Sequence, residues 1–570
     1  KTGPLVHFTV DTTNASMTTK LAKFGTNFLP FNLGSNGAGN QGGKGNPKAA
    51  DGHFATDYIW ENVLNKDSIL DIIQSFITIE VDSKTKEETL IFPRYHQLDV
   101  VRKLLKDVEV TGSEKNFLIE HSAGSGKSNT IAWLAFHLNN LYFANKPEKV
   151  FDTVIILNDR RVLDKQTRNT IMSFNPKEGT VKIATKSSQI TDYIKLGNVI
   201  IISTIQKFPM IYRELEEIKA NNPNRRFAVI ADEAHQSQTG TAAGKVKLGL
   251  GADSQIKAED QDDTPEEGDA SDEEQEKILR QVATGKQSNM SFFAFTATPV
   301  QKTLQAFGQK NAAGGRDPFH VYSMKQAIEE GFILDVLQDY LTYKEAFKIV
   351  KTTEENPELV EGPAAKAIVR YYKEHGHTIA SKVDVIMPNF LNNCRHKIGG
   401  KGKAMVVADS RHNAVRYFWD IKQYIKDHPI DCAGVNVLVA FSGTVKFDDD
   451  EKEYTEAILN IDSDGNAINT DKKFRKAFRS DKYNIMVVAD KYQTGFDEPL
   501  LHSMYVDKKL KSVNAVQTLS RLNRTHSGKD DTFVLDFVNT SEEIKASFKD
   551  FYEMTELEGS TDYNQVYDLK

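Results

Sequence analysis

Two short clusters in this 570-residue sequence carry side chains whose types and spacing suit phosphate chemistry. The first is His121-Ser122-Ala123-Gly124-Ser125-Gly126-Lys127-Ser128. Gly124 and Gly126, with Ser125 between them, free the backbone to fold N–H groups around phosphate oxygens. Lys127 can reach the outer phosphates, and the Ser128 hydroxyl can ligate magnesium. The strict phosphate-loop pattern puts glycine where His121 stands, and a serine- and glycine-rich turn before a helix is the plain alternative. The second cluster is Asp232-Glu233-Ala234-His235. Asp232 suits a magnesium ion held through water, and Glu233 suits a general base that orients and deprotonates an attacking water. Its plain alternative is an acidic pair capping a following helix. Together the clusters predict ATP hydrolysis with Mg2+.

Both clusters need strand ends to present them. Asn116–Ile119, Thr153–Leu157, Val199–Ile202, Phe227–Ala231 and Phe292–Phe295 are short continuous apolar runs, each followed by a polar cluster. A second series comprises Ala404–Ala408, Val435–Phe441, Ile485–Ala489, Ser503–Val506 and Thr532–Phe537. Such runs, joined by helical sequence, predict parallel sheets covered on both faces, with ligands beyond the carboxyl ends of the strands. The fold class expected is α/β, with two such domains in tandem. Upstream, Leu5–Val10 alternates like a strand, residues 33–51 are a Gly/Asn-rich loop, and Tyr58–Ile77 carries apolar residues at helical spacing.

Composition agrees with a soluble globular chain: 39% hydrophobic and 26% charged residues exclude collagen-like and wholly disordered classes. No apolar run approaches the ~18 residues of a membrane span, no secretion leader opens the chain, and two cysteines cannot build a disulfide framework. A reduced, cytoplasmic protein is expected. It starts at Lys1 rather than at methionine, as a piece of a longer chain would. The net charge of -7 is misleading. Residues 259–276 hold eleven acids and no Lys or Arg, and without them 72 basic residues face 68 acidic ones. That block is expected to be a solvated insert.

Further motifs follow in an order that resembles helicase superfamily two across residues 90–540. Phe92-Pro93-Arg94-Tyr95-His96-Gln97 lies where those proteins hold adenine, which implies that role for Gln97. Asn158-Asp159-Arg160-Arg161, Ser203-Thr204-Ile205-Gln206, Ala408-Asp409-Ser410-Arg411 and Phe441-Ser442-Gly443-Thr444 stand at the positions of backbone-contacting motifs. The resemblance implies DNA contacts for Arg160, Thr204, Gln206, Arg411 and Thr444. Thr296-Ala297-Thr298-Pro299 resembles the motif coupling hydrolysis to domain movement through Thr296 and Thr298. Thr494-Gly495-Phe496-Asp497 and Gln517-Thr518-Leu519-Ser520-Arg521-Leu522-Asn523-Arg524 resemble the last two motifs. They imply nucleotide contacts for Gly495 and Asp497, and arginines 521 and 524 that neutralise charge on the γ-phosphate during transfer.

The wording around these motifs narrows the resemblance to the motor (R) subunit of type I restriction-modification enzymes. His121–Ile131, Asp232–Ser237, Phe293–Pro299, Tyr322–Ile328 and Leu519–Arg524 all resemble it, as do Leu5–Asp11, Met17–Leu21 and Phe28–Asn32. The resemblance implies two tandem RecA-like domains, preceded by the carboxyl-terminal remnant of a restriction-nuclease-like domain. The expected division is 1–88 nuclease remnant and linker, 89–325 first motor domain, 326–540 second, and 541–570 the start of a helical region. It also implies ATP-driven translocation on double-stranded DNA, in company with specificity and methyltransferase subunits. The magnesium-binding cleavage residues are expected before Lys1. Asp82-Ser83-Lys84 spells a nuclease-like pattern but opens a charged run, so a solvated linker is the preferred reading. Lys508, Lys509 and Lys511 fit either a phosphate contact or a solvated cluster, and Cys394 with His396 is too isolated for zinc. Two rivals stay open: a strand-separating nucleic-acid helicase, since the motifs do not distinguish unwinding from duplex translocation, and a switch ATPase that scaffolds an assembly.

Overall fold

The computed structural model describes residues 3–81, 88–113, 115–158, 170–172, 179–184, 187–204, 211, 215, 217, 224–232, 289–312, 314–343, 379–447, 450–493 and 495–549. Packing divides these into two compact units, one reaching Glu330 and the other beginning at Gly331.

The first unit opens with an antiparallel sheet of β1 (His7–Val10), β2 (Ala15–Thr18) and β3 (Leu29–Pro30), then α1 (Lys66–Ser75) and the antiparallel pair β4 (Thr78–Val81) and β5 (Glu88–Ile91). The helical spacing over Tyr58–Ile77 is not one helix. A wide turn at Ile59–Val63 ends before Asn65, whose side chain accepts from Ser68 N at 2.9 Å and starts α1 afresh. An asparagine that can bond to backbone this way favours a cap over a helix interior.

Next come α2 (Tyr95–Thr111), β6 (Phe117–His121), α3 (Lys127–Asn139), β7 (Thr153–Asn158), β8 (Val181–Ile183), α4 (Ser187–Leu196), β9 (Val199–Thr204), β10 (Phe227–Ala231) and β11 (Met290–Thr296). The unit ends with α5 (Gln301–Phe307), the antiparallel pair β12 (Gln309–Lys310) and β13 (Arg316–Asp317), β14 (His320–Tyr322) and α6 (Met324–Glu329). Seven strands form one parallel sheet in the order β14-β6-β11-β10-β7-β9-β8. Because both faces are covered, alternate residues of one strand serve two cores. Ile119, Ile156, Ile202, Ile230 and Phe295 face one, and Leu118, Ile155, Ile201, Val229 and Ala294 face the other. The first core also takes in Met17, Phe31, Tyr58, Ile72 and Phe76, so the upstream segment shares the motor sheet's interior. The indole N–H of fully buried Trp133, on α3, donates to the Phe76 carbonyl at 2.8 Å.

The second unit contains β15 (Tyr340–Thr342), α7 (Ile379–Asn389), β16 (Lys403–Ala408), α8 (Arg411–Asp427), β17 (Val437–Ala440), the antiparallel pair β18 (Val445–Phe447) and β19 (Asp450–Tyr454), and α9 (Asp471–Arg479). Then follow β20 (Ile485–Val488), β21 (Leu501–Asp507), α10 (Val513–Leu519), β22 (Phe533–Asp536) and α11 (Ser541–Lys549). Its six-stranded sheet is again parallel, in the order β15-β22-β21-β16-β20-β17. The α/β class with two parallel sheets is therefore as expected. The ten apolar runs all became strands, while β8, β14 and β15 were not anticipated. Each of those is three residues long and too short to show a pattern, and β8 and β14 close the edges of the first sheet, as β15 does for the second. No helix among the described residues is long and apolar enough to cross a membrane.

Candidate functional site

Parallel pairing puts every strand's carboxyl end on one edge of its sheet, and the motif residues lie along those edges. In the first unit, the turn after β6 is held by Ser122 N donating to Tyr322 O at 3.0 Å and Ser125 N donating to Ser122 O at 3.2 Å. Gly124 and Gly126 sit at φ +85° and +83°, the left-handed region that favours glycine. A Cβ on Gly126 would lie 2.6 Å from Gln97 Nε2, so the turn needs glycine there for space as well. Gln97 braces this turn: its Oε1 accepts from Arg94 N at 2.9 Å, and its Nε2 donates to Gly126 O at 3.1 Å. Lys127 is buried at the start of α3, its ammonium donating to His121 O at 3.3 Å. The hydroxyls of Ser122 and Ser125 are buried without any hydrogen-bond partner. Two orphaned donors inside a glycine-opened turn at a helix start fit a phosphate group, which would supply the acceptors. Ser128 follows, half-buried, where a magnesium-bound phosphate would need a hydroxyl.

His121 departs from the strict pattern for a structural reason. It is the last residue of β6, fully buried, and its Nε2 lies 2.9 Å from His320 Nδ1 on neighbouring β14. The His320 Nε2 lies 2.9 Å from Asp99 on α2. The His96 ring stacks on Tyr322 at 3.8 Å and meets Ser125 O at 3.2 Å, and Tyr322 donates to Glu330 at 2.6 Å. The 122–128 turn thus backs onto a wall of three buried histidines. Burial pushes all three well down from the usual histidine range, or down against the opposing pull of Asp99 for His320. His137, on α3, is lowered to about 4 for the same reason. The rings are neutral when folded and free to take a proton when unfolded. Stability should therefore be full above about pH 6.5 and fall below it, by about 1.4 kcal/mol per histidine per pH unit. Urea midpoints of the first unit measured from about pH 7.5 to about pH 5.5 check this; a flat midpoint would contradict it.

Asp232 lies in the turn after β10, buried, its N–H donating to Leu157 O at 3.0 Å. Thr296 ends β11, the strand between β6 and β10, and its hydroxyl accepts from Thr298 N at 3.0 Å, both threonines being buried. Thr204 ends β9 opposite Asn158 of β7. Glu233, Arg160, Gln206, Thr494, Asp82, Ser83, Lys84 and the acidic block 259–276 lie outside the described residues.

In the second unit, two groupings form separately. Arg411, the first residue of α8, donates to Ser442 O at 3.2 Å beside Gly443, and Thr444 is exposed next to them. The other grouping joins the last two motifs. Arg524 Nε donates to Asp497 Oδ1 at 2.7 Å, and Arg521 Nη1 donates to Phe496 O at 3.1 Å, close to Gly495. Desolvation alone would raise the Asp497 carboxyl, but Arg524, with Arg521 and Arg479, holds it below the usual carboxylate range even though its side chain is half exposed. Lys508 pairs with Asp490 and Lys509 with Glu543, so both are engaged within the protein.

Three supporting residues were not anticipated. The Lys529 ammonium donates to Leu501 O at 2.7 Å, Leu522 O at 2.6 Å and Arg524 O at 2.9 Å, pinning the arginine segment from below. Arg475 donates to Gly495 O at 3.3 Å and Arg479 to Asp497 O at 3.0 Å, both from α9. All three act on main-chain carbonyls, which leave no mark in a side-chain pattern.

Residues 96–367 match the SWI2/SNF2 ATPase family, and residues 460–539 match type I restriction enzyme subunit R domain 3. The HindI type I restriction enzyme endonuclease subunit of Haemophilus influenzae is 23% identical over 529 residues, covering 86% of this chain and 44% of its own. The SsaAORF53P endonuclease subunit of Staphylococcus saprophyticus is 25% identical over 459 residues, covering 77% and 43%. Among solved structures, the ATP-dependent type ISP restriction-modification enzyme LlaBIII bound to DNA aligns at TM-score 0.44 and 14% identity, over 86% of this chain and 30% of that one. The chain spans less than half the length of the curated relatives it matches. The resemblance to type I restriction R subunits thus extends along most of the sequence.

Proposed function

We propose that this chain is the ATP-hydrolysing motor segment of a type I restriction R subunit, a translocase on double-stranded DNA working in the cytoplasm with specificity and methyltransferase subunits. The observation that carries the reading is the 122–128 turn, with its orphaned serine hydroxyls, at the carboxyl edge of a parallel sheet. Gly124, Ser125, Gly126 and Lys127 would hold the phosphates, with Ser128 and Asp232 toward magnesium and Gln97 toward the adenine end. Magnesium, when bound, would supply neutralisation of charge developing on the phosphates. Glu233 would take the proton of the attacking water. Arg521 and Arg524 would meet charge developing on the γ-phosphate, held ready by Phe496 O and Asp497. Thr296 and Thr298 would couple hydrolysis to movement. Arg160, Thr204, Gln206, Arg411 and Thr444 would step along phosphates, contacts that carry no sequence information.

The test is ATP turnover with and without linear duplex DNA, beside triplex displacement and strand displacement. Stimulated turnover with triplex displacement alone is expected, and Lys127→Ala should lose nucleotide affinity while keeping its fold, because it removes a charge that faces phosphates. Turnover indifferent to DNA would overturn the reading, and strand displacement would replace translocase with helicase.

A further inference from the structure

Helix α9 carries a charge distribution that the nucleotide chemistry does not use. Between Asp471 and Lys482 the sequence DKKFRKAFRSDK holds six basic and two acidic residues. The helix is built to hold that charge in place. Thr470 caps it by accepting from Lys473 N at 3.3 Å, and Asp471 at its start with Lys476 and Arg479 at its end suit the helix dipole. Phe474 and Phe478 are buried, packed against Tyr492 and Phe496 respectively with ring centroids 5.0 and 6.0 Å apart. Arg475 lies over the Tyr492 and Phe496 rings at 5.1 and 5.0 Å, and Tyr492 OH donates to Asp471 at 2.7 Å.

At 100° per residue, Lys472, Lys476 and Arg479 fall in one stripe opposite the two phenylalanines, with Lys473 beside it. All four are exposed. Lys472 and Lys476 have no ion-pair partner among the described residues. A solvated face needs neither this density of one sign nor a helix fastened by two aromatic anchors and two arginine contacts to a motif loop. From Lys472 to Lys476 the face spans about 6 Å along the helix at 1.5 Å per residue. That is close to two steps of ~3.4 Å along the axis of a duplex, the rise over three successive phosphates of one strand.

We propose that the outer face of α9, formed by Lys472, Lys473 and Lys476, is a phosphate-backbone contact for duplex DNA, separate from the strand-end residues. This rests on the reading of the chain as a DNA motor and adds a surface to it. The face sits on the same helix whose Arg475 and Arg479 hold the 495–497 loop, so it is a fixed platform rather than a loose tether.

The experiment uses the full chain and its triple variant Lys472→Ala/Lys473→Ala/Lys476→Ala. Binding of a fluorescent duplex is measured by anisotropy over a salt series, and ATP turnover is measured alongside. The variant should bind duplex at least about 10-fold more weakly near 150 mM salt, with the log–log salt slope reduced by about 2 to 3. Its DNA-free turnover should be unchanged. Equal affinity and equal slope in a variant whose parent binds DNA would overturn the proposal and leave the motor reading intact. A parent that binds no duplex would overturn both. Unchanged DNA binding with lost binding to the methyltransferase core would reassign the face to a protein partner, against the proposal.

Discussion

Arg524→Ala is expected to slow ATP turnover about a thousand-fold or more while leaving ATP binding within a few-fold, the range seen when an arginine that serves only the transition state is lost. Its guanidinium pairs with Asp497 at 2.7 Å, which fixes its position. Removing it also frees the Asp497 carboxylate, but that side chain is 53% exposed, so loss of the ion pair should cost little stability. Two controls separate these effects. Asp497→Asn keeps the arginine and removes the charge that holds it, and should slow turnover less than Arg524→Ala. Arg524→Lys keeps a charge but not the planar fork, and should recover little. Arg521→Ala should act in the same direction. The decisive comparison is turnover under saturating ATP against the dissociation constant of a non-hydrolysable analogue. Normal turnover in both alanine variants would remove the second unit from the hydrolytic chemistry.

Glu233→Gln should bind ATP normally and hydrolyse it at least about 100-fold more slowly, the usual effect of losing a general base. The substitution preserves size and removes only the capacity to accept a proton. Its neighbour Asp232 is buried in the turn after β10, where its N–H donates to Leu157 O of β7. Single-turnover hydrolysis measured beside nucleotide binding distinguishes a chemical defect from a binding one. Substantial turnover in this variant would mean that another group activates the water.

The parallel sheets were legible because burial on both faces writes itself as continuous apolar runs, as in Thr153–Asn158 and Met290–Thr296, where every residue is buried. Edge strands of three residues, such as His320–Tyr322, leave no such record. His320 was accordingly not singled out, although it stands behind the phosphate turn and explains why His121 is tolerated there. The break at Asn65 was hidden because the apolar spacing continues across it while one side chain redirects the backbone. Motif order was readable along the chain, but motif neighbours were not. That Arg524 meets Asp497, 27 residues away, depends on how distant loops are brought together, and that Lys529 holds the carbonyls of Leu522 and Arg524, seven and five residues back, depends on how the intervening turn folds. Arg475 and Arg479 read simply as surface charge until their carbonyl partners are in view.

The bond between Trp133 and the Phe76 carbonyl also decides how load would travel. Trp133 sits on the helix that begins with Lys127, and Phe76 belongs to the upstream segment, with both fully buried in one core. Tension applied to residues 3–81 would therefore pass into α3 through the Trp133–Phe76 bond and the core that both share. In the DNA motor proposed above, stiffness at this joint would fix how much of each stroke is lost as stretch. A bead attached through the amino-terminal segment would report displacements of the first unit with little elastic lag. Replacing Trp133 with a small residue would act like a worn bearing, lowering the stall force before it lowers the unloaded rate.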